Sequence, residues 1–260
     1  MRVADKWKDY ELLDCSSGQR LERWGDVILI RPDPQVIWKT EKTHPLWYKA
    51  HAVYNRSSSG GGKWDIRRKI PDAWKIKYGD LSFMVKPMGF KHTGVFPEQA
   101  VNWDMTAEII RKERRPLRVL NLFAYTGAAT ISALNAGAHV THVDASKGMV
   151  AWAKENAAVS GLANEPVRWL VDDCMKLSRA RYAAATNTIL LSWTRRLTEE
   201  DRAARSGSLR MRFMTLRRCV PPCCRTIPLW CSSTLTQRDF LRPSCSIYSA
   251  VQCRRCSAAR

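Results

Sequence analysis

Residues 117–127, Leu-Arg-Val-Leu-Asn-Leu-Phe-Ala-Tyr-Thr-Gly, constrain the fold more than any other stretch of this chain. Leu117, Val119, Leu120 and Leu122 read as a buried parallel strand. Tyr125-Thr126-Gly127 then turns the chain into an Ala-rich amphipathic helix that opens with Ala128-Ala129-Thr130 and ends near Gly137. A strand, a glycine turn and a helix in that order form the first unit of a doubly wound α/β sheet. In such sheets a ligand sits beyond the carboxyl ends of the strands, where a glycine lets the backbone approach closely and helix-start N–H groups favour a carboxylate or phosphate.

A second strand, His139 to Val143, ends in Asp144, which lies 17 residues beyond Gly127. An acidic residue at about that spacing can accept both ribose hydroxyls of an adenosine. Ser146 is placed to cap a further helix, whose apolar positions Met149, Val150, Ala153, Ala157 and Ala158 recur at helical spacing before Gly161 ends it. A third strand, Pro166 to Val171, brings Asp172 and Asp173 to the same edge, where a carboxylate can accept from an adenine amino group. A pyrophosphate-binding turn carries three glycines so that two phosphates can lie against the backbone, whereas this turn has one. One glycine, an Asn at the strand end and two aromatics suit a ligand with a sulfonium and an amino-acid tail.

These segments resemble a known family. NLFAYTGAAT, HVDASKGMVAWAKENAAVSGL and VRWLVDDCMK, with GFKHTGVFPEQAVNWD at residues 89–104, are similar to class I S-adenosylmethionine-dependent methyltransferases of the large-subunit rRNA kind. The likeness covers roughly residues 10–176. It implies a Rossmann-like doubly wound methyltransferase domain preceded by a small β-rich domain, S-adenosylmethionine as cofactor, RNA (rRNA above all) as substrate, and a cytoplasmic location. It implies that Asn121, Phe123, Ala124, Tyr125, Thr126 and Gly127 hold the methionine part and that Asp144, with Ala145 and Ser146, holds the ribose. Asp172 and Asp173 fall on the adenine side, and the turn His92 to Phe96, together with Gln99, borders the cleft.

Charge divides the chain in two. The 260 residues carry a net charge of +19, but residues 1–176 hold 27 Lys+Arg against 20 Asp+Glu, while residues 177–260 hold 16 against 4. All 16 basic residues of the second part are Arg, and seven of the nine Cys lie beyond residue 218. A basic arm that binds nucleic acid mixes Lys with Arg and contains few Cys. Met1 to Asp14 is polar and unlike a signal peptide, and no apolar run reaches the roughly 18–20 residues of a membrane span. Cys15 and Cys174 therefore read as reduced thiols.

The first part divides near residue 88. Tyr10 to Trp38 reads as short antiparallel strands, residues 55–64 as a flexible, solvated connector, and Trp74–Tyr78 with Leu81–Lys86 as a hairpin across Gly79-Asp80. Trp38, Trp47, Trp64 and Trp74 read as packing residues, with base stacking the less favoured use. Pro97 starts a helix that runs through Trp103, Ile109 and Ile110 to Glu113. The expected units are thus 1–88, β-rich; 89–176, the first half of the cofactor-binding domain; and 177–260, an Arg- and Cys-rich tail without native structure.

The family pattern breaks where the chemistry belongs. Its fourth strand ends in Asp-Pro-Pro, and no such triplet follows Asp173. Written as codons and read one base earlier, Trp193 to Asp201 permits Leu-Asp-Pro-Pro-Ser-Tyr-Gly-Arg-Gly, with the Asp forced. The same offset over Leu229 to Phe240 permits Leu-Val-Leu-Ile-Asn-Ser-Tyr-Thr-Thr-Gly-Phe, a strand and its loop. Residues from about 177 onward therefore read as translated out of frame, which removes the acceptor-side groups and leaves no catalytic residue to assign. The alternative is a basic nucleic-acid-binding protein without enzymatic activity. In that reading Arg217, Arg218, Arg254 and Arg255 contact phosphate, and Cys219, Cys223, Cys224, Cys253 and Cys256 form a weak zinc pattern.

Overall fold

A computed structural model describes residues 3–57, 61–113, 115 and 117–174, and the backbone of 188–192 and 217–218. The first five strands, β1 (Tyr10–Ser16), β2 (Gln19–Trp24), β3 (Val27–Pro32), β4 (Ala52–Arg56) and β5 (Gly62–Ile66), form one sheet in chain order. All its pairings are antiparallel except β3 with β4. The connector expected at 55–64 is instead the tip of the β4–β5 pair, with Asn55 opposite Lys63 and Arg56 opposite Gly62; residues 58–60 of it lie outside the described residues. Gly62 is required there, because a Cβ would come within 2.2 Å of the Asn55 carbonyl oxygen. Trp64 stays half-buried by packing its ring edge against Tyr54.

The hairpin β6 (Trp74–Tyr78) and β7 (Leu81–Val85) forms as the sequence predicts, with Lys75 and Lys77 exposed and Ile76 and Tyr78 buried. Its apolar side chains join a core that runs from Trp24 and Leu29 through Ile76, Phe83 and Trp103 to Ala129, Ile131 and Ala157. Trp47 is buried, Trp74 is half-buried, and Trp38 keeps 42% of its surface exposed while its indole N–H donates to the Cys15 carbonyl. Cys15 and Cys174 are both unpaired thiols.

Helix α1 (Ala100–Lys112) follows a short turn begun by Pro97. It leads into β8 (Arg118–Leu122), α2 (Ala128–Asn135), β9 (His139–Asp144), α3 (Lys147–Val159) and β10 (Val167–Val171). The strands β10, β9 and β8 are parallel neighbours in that order, which is the doubly wound arrangement read from the sequence. Within the tail expected to lack native structure, β11 (Thr188–Ser192) pairs with β8 in parallel, and β12 (Arg217–Arg218) pairs with β11. The reason is that a parallel ladder joins backbone groups and requires no particular side chain. The Asp-Pro-Pro position, Trp193 onward, lies outside the described residues. No helix among the described residues is long and apolar enough to cross a membrane.

Candidate cofactor site

The bend between β8 and α2 lies at the carboxyl edge of the sheet, and its backbone is strained. Phe123 and Tyr125 have φ of 53°, and Gly127 has φ of 84°. Two non-glycine residues in the left-handed region each cost on the order of 1–3 kcal/mol and persist only where the surroundings hold them. Here they do. The Phe123 N–H donates to the Cys174 Sγ (3.2 Å), the Ala124 N–H to the Val143 carbonyl (3.0 Å), and the Tyr125 N–H to Asp144 Oδ2 (2.9 Å). The Thr126 hydroxyl donates to the Gly94 carbonyl, and the Gly127 N–H to the Ala124 carbonyl (3.0 Å).

Gly127 cannot carry a side chain. A Cβ at that position would stand 2.8 Å from the Ala153 Cβ of α3, in addition to the left-handed strain. Gly94 is excluded from side chains in the same way, because a Cβ would meet the Trp152 ring at 2.6 Å. The bend, α3 and the turn 92–96 are therefore in contact through glycine.

Asp144 stands at the end of β9, where Oδ2 accepts from Tyr125 and Oδ1 accepts from the Ser146 N–H (2.9 Å). Each oxygen keeps a further lone pair for a ligand hydroxyl. Ser146 also caps α3, its Oγ accepting from the Met149 N–H (3.4 Å), and Ala145 beside it is exposed. Asp172 and Asp173 are exposed at the end of β10, with the Asp172 N–H donating to the Asp144 carbonyl (3.2 Å). Three carboxylates thus rim one edge, a field that favours a cationic ligand and opposes a pyrophosphate. At the same bend, α2 begins at Gly127, whose N-cap position makes no side-chain cap hydrogen bond, and the amides at a helix start favour an anion.

Phe96 joins the site at the surface, 37% exposed, with its ring centroid 5.4 Å from that of Tyr125 and 5.1 Å from that of His92. The Tyr125 hydroxyl reaches the Met88 Sδ (3.3 Å), and burial pushes its pKa up to about 12. Gln99 is placed otherwise: it stands at the start of α1, where its Oε1 accepts from Asn102 (2.8 Å), and it makes none of the hydrogen bonds that hold the bend.

Asn121 was singled out from the sequence, whereas its neighbours His142 and Asn156 were not. Asn121, fully buried, donates to Thr130 Oγ1 (2.9 Å), which in turn contacts His142 Nδ1 (2.9 Å). His142 is fully buried, its ring centroid lies 4.8 Å from that of Trp169, and its Nε2 has no partner; burial pushes its pKa down to about 3. Asn156 of α3 donates to the Thr126 carbonyl (2.9 Å). The available signal was a polar residue on an otherwise apolar helix face, since Asn156 falls between Ala153 and Ala157.

Comparison with known proteins agrees with this geometry. The chain is 36% identical over 104 residues to the ribosomal RNA large subunit methyltransferase K/L of Shewanella baltica, a match covering 40% of this chain and 14% of that one. The protein of the same name from Shewanella oneidensis matches at the same identity and coverage. The chain thus spans about one-seventh of these curated relatives. Among solved structures, the S-adenosylmethionine-dependent methyltransferase of Agrobacterium tumefaciens is 37% identical with a TM-score of 0.68, covering 72% of this chain and 60% of that one. A methyltransferase from Streptococcus mutans, 17% identical, shares the fold with a TM-score of 0.54 over 77% of this chain and 65% of its own. No protein-family model matches the chain. In its strand order, its lone-glycine bend and its acidic rim, the chain is similar to class I S-adenosylmethionine-dependent methyltransferases, the large-subunit rRNA enzymes among them.

Proposed function

We propose that the bend and its acidic rim bind S-adenosylmethionine and that the protein is an RNA methyltransferase by descent, with rRNA as the substrate class and the cytoplasm as its compartment. The observation that carries this is the pairing of uncapped α2 amides with the Asp144, Asp172 and Asp173 carboxylates across one sheet edge. When bound, the cofactor supplies a methyl group on a positively charged sulfur. The α2 amides and the 121–127 bend would hold its carboxylate end, Asp144 with Ser146 its ribose, and Asp172 with Asp173 its adenine.

The chain's own part is alignment. The Tyr125 and Ser146 N–H groups fix the Asp144 carboxylate, and hydrogen bonds from its surroundings hold the strained bend. RNA as acceptor is supported by the relatives' names, and the five-stranded sheet of β1 to β5 precedes the cofactor half in the chain. Residues from about 177 onward read out of frame, and in that reading this chain keeps the cofactor half without the acceptor side.

Calorimetry with S-adenosylmethionine, paired with a methyl-transfer assay on rRNA, tests both parts. We expect this chain to bind cofactor without transferring methyl, and a version with the frame restored after residue 176 to do both. Equal affinity and equal transfer by the two would refute the frame reading. Absence of binding by either would refute the site.

A further inference from the structure

Three side chains of the α3 segment take the place of a strand along the open edge of β7. Trp152 Nε1 donates to the Met84 carbonyl (3.0 Å), and Asn156 Oδ1 accepts from the Met84 N–H (2.7 Å). One turn on, Ser160 Oγ accepts from the Ser82 N–H (3.0 Å) and donates to the Ser82 carbonyl (2.7 Å). The spacing matches over the last step: four helical residues rise about 6 Å and two strand residues about 6.6 Å, so Asn156 meets Met84 and Ser160 meets Ser82. The edge that would otherwise invite another strand is thereby closed.

Asn156 also reaches the bend. It is fully buried, and its Nδ2 donates to the Thr126 carbonyl (2.9 Å) while its Oδ1 holds β7. The Thr126–Gly127 peptide is thus gripped at both ends, because the Gly127 N–H donates to the Ala124 carbonyl. That grip addresses a specific weakness: the glycine that α3 requires for close approach is also the residue whose φ tolerates either orientation of the preceding peptide plane. A flip would reverse the dipole at the start of α2. An amide can accept from Met84 and donate to Thr126 from one rigid plane, and an aliphatic side chain of the same size can do neither.

We propose that Asn156 is a positioning residue for the cofactor site, locking the Thr126–Gly127 peptide and coupling it to the β6–β7 hairpin. Its effect on affinity rests on the reading of this bend as the S-adenosylmethionine site; its effect on the bend itself does not. The test compares Asn156→Leu with Ser160→Ala in the full chain. Each removes two hydrogen bonds, but only the first touches the bend.

Hydrogen–deuterium exchange without ligand is expected to speed up at residues 124–130 in Asn156→Leu and to stay unchanged there in Ser160→Ala, although both lower the melting temperature. The Kd for S-adenosylhomocysteine is expected to rise roughly tenfold in the first and by less than about twofold in the second. Asn156→Ser, too short to bridge both partners, gives the same result if the Leu variant does not fold. Equal changes at the bend in both variants, or none in Asn156→Leu, would overturn the proposal. If the unsubstituted chain binds no S-adenosylhomocysteine, the cofactor reading fails, and exchange at 124–130 still decides the role of Asn156.

Discussion

Gly127 concentrates two demands in one residue: a left-handed φ of 84° and a hydrogen atom where any Cβ would stand 2.8 Å from Ala153. Gly127→Ala is expected to destabilise the protein by about 2 kcal/mol, and to weaken S-adenosylhomocysteine binding because α3 must move off the bend. Urea denaturation beside calorimetry checks both effects. His142 sets a pH dependence. Burial lowers its pKa from 6.5 to about 3, so between those values the unfolded chain binds a proton that the folded chain does not. Stability is therefore full above about pH 6.5 and falls as the pH drops toward 3, by about 1.4 kcal/mol per pH unit well inside that window. Urea titrations at pH 6.5 and 5 should show this loss, and His142→Phe should reduce the slope whatever its own stability.

At the scale of elements, β2 and β3 are joined by a buried ion pair. Arg31 donates to Glu22 through Nε (2.6 Å) and Nη2 (2.8 Å), and the Tyr10 hydroxyl also donates to Glu22 (2.9 Å). Burial opposes ionisation of Glu22, but the Arg31 guanidinium outweighs it and holds the carboxyl below its usual range. Arg31 Nη1 reaches on to the Lys91 carbonyl (3.1 Å), tying this sheet to the segment that borders the bend. Arg31→Met leaves a buried carboxylate without its main partner and is expected to cost about 3–5 kcal/mol at pH 7. Because a depressed carboxyl loses its stabilising contribution as the pH falls, the penalty should shrink toward pH 4, and denaturation at both values checks the sign. The pairing of β8 with β11 makes a further prediction. Deleting residues 177–260 should leave a soluble fraction smaller than that of the full chain, since it opens a strand whose Val119, Leu120 and Leu122 are buried. Sedimentation at matched concentrations measures it.

For the molecule as a whole, legibility followed distance along the chain. Strand β8, the bend, α2 and Asp144 were all readable, because a short apolar run, a glycine and a carboxylate 17 residues on are local patterns with local causes. So were the β6–β7 hairpin and the Ser146 cap. The parallel pairing of β3 with β4, the strand-like use of α3 and the grip on the Thr126 peptide were not. Asn156 meets Met84 across 72 residues of chain and Thr126 across 30. Gln99 shows the reverse limit: a position singled out by resemblance turns its side chain to Asn102, a contact that no local pattern gives. The sequence by itself determined which edge of the sheet carries the glycine bend and what charge rims it, because alternation, glycine and carboxylate spacing act through neighbours. Only the tertiary structure decided what keeps the bend in its strained form, because those hydrogen bonds come from Cys174, Gly94 and Asn156, brought together by packing that no local pattern encodes.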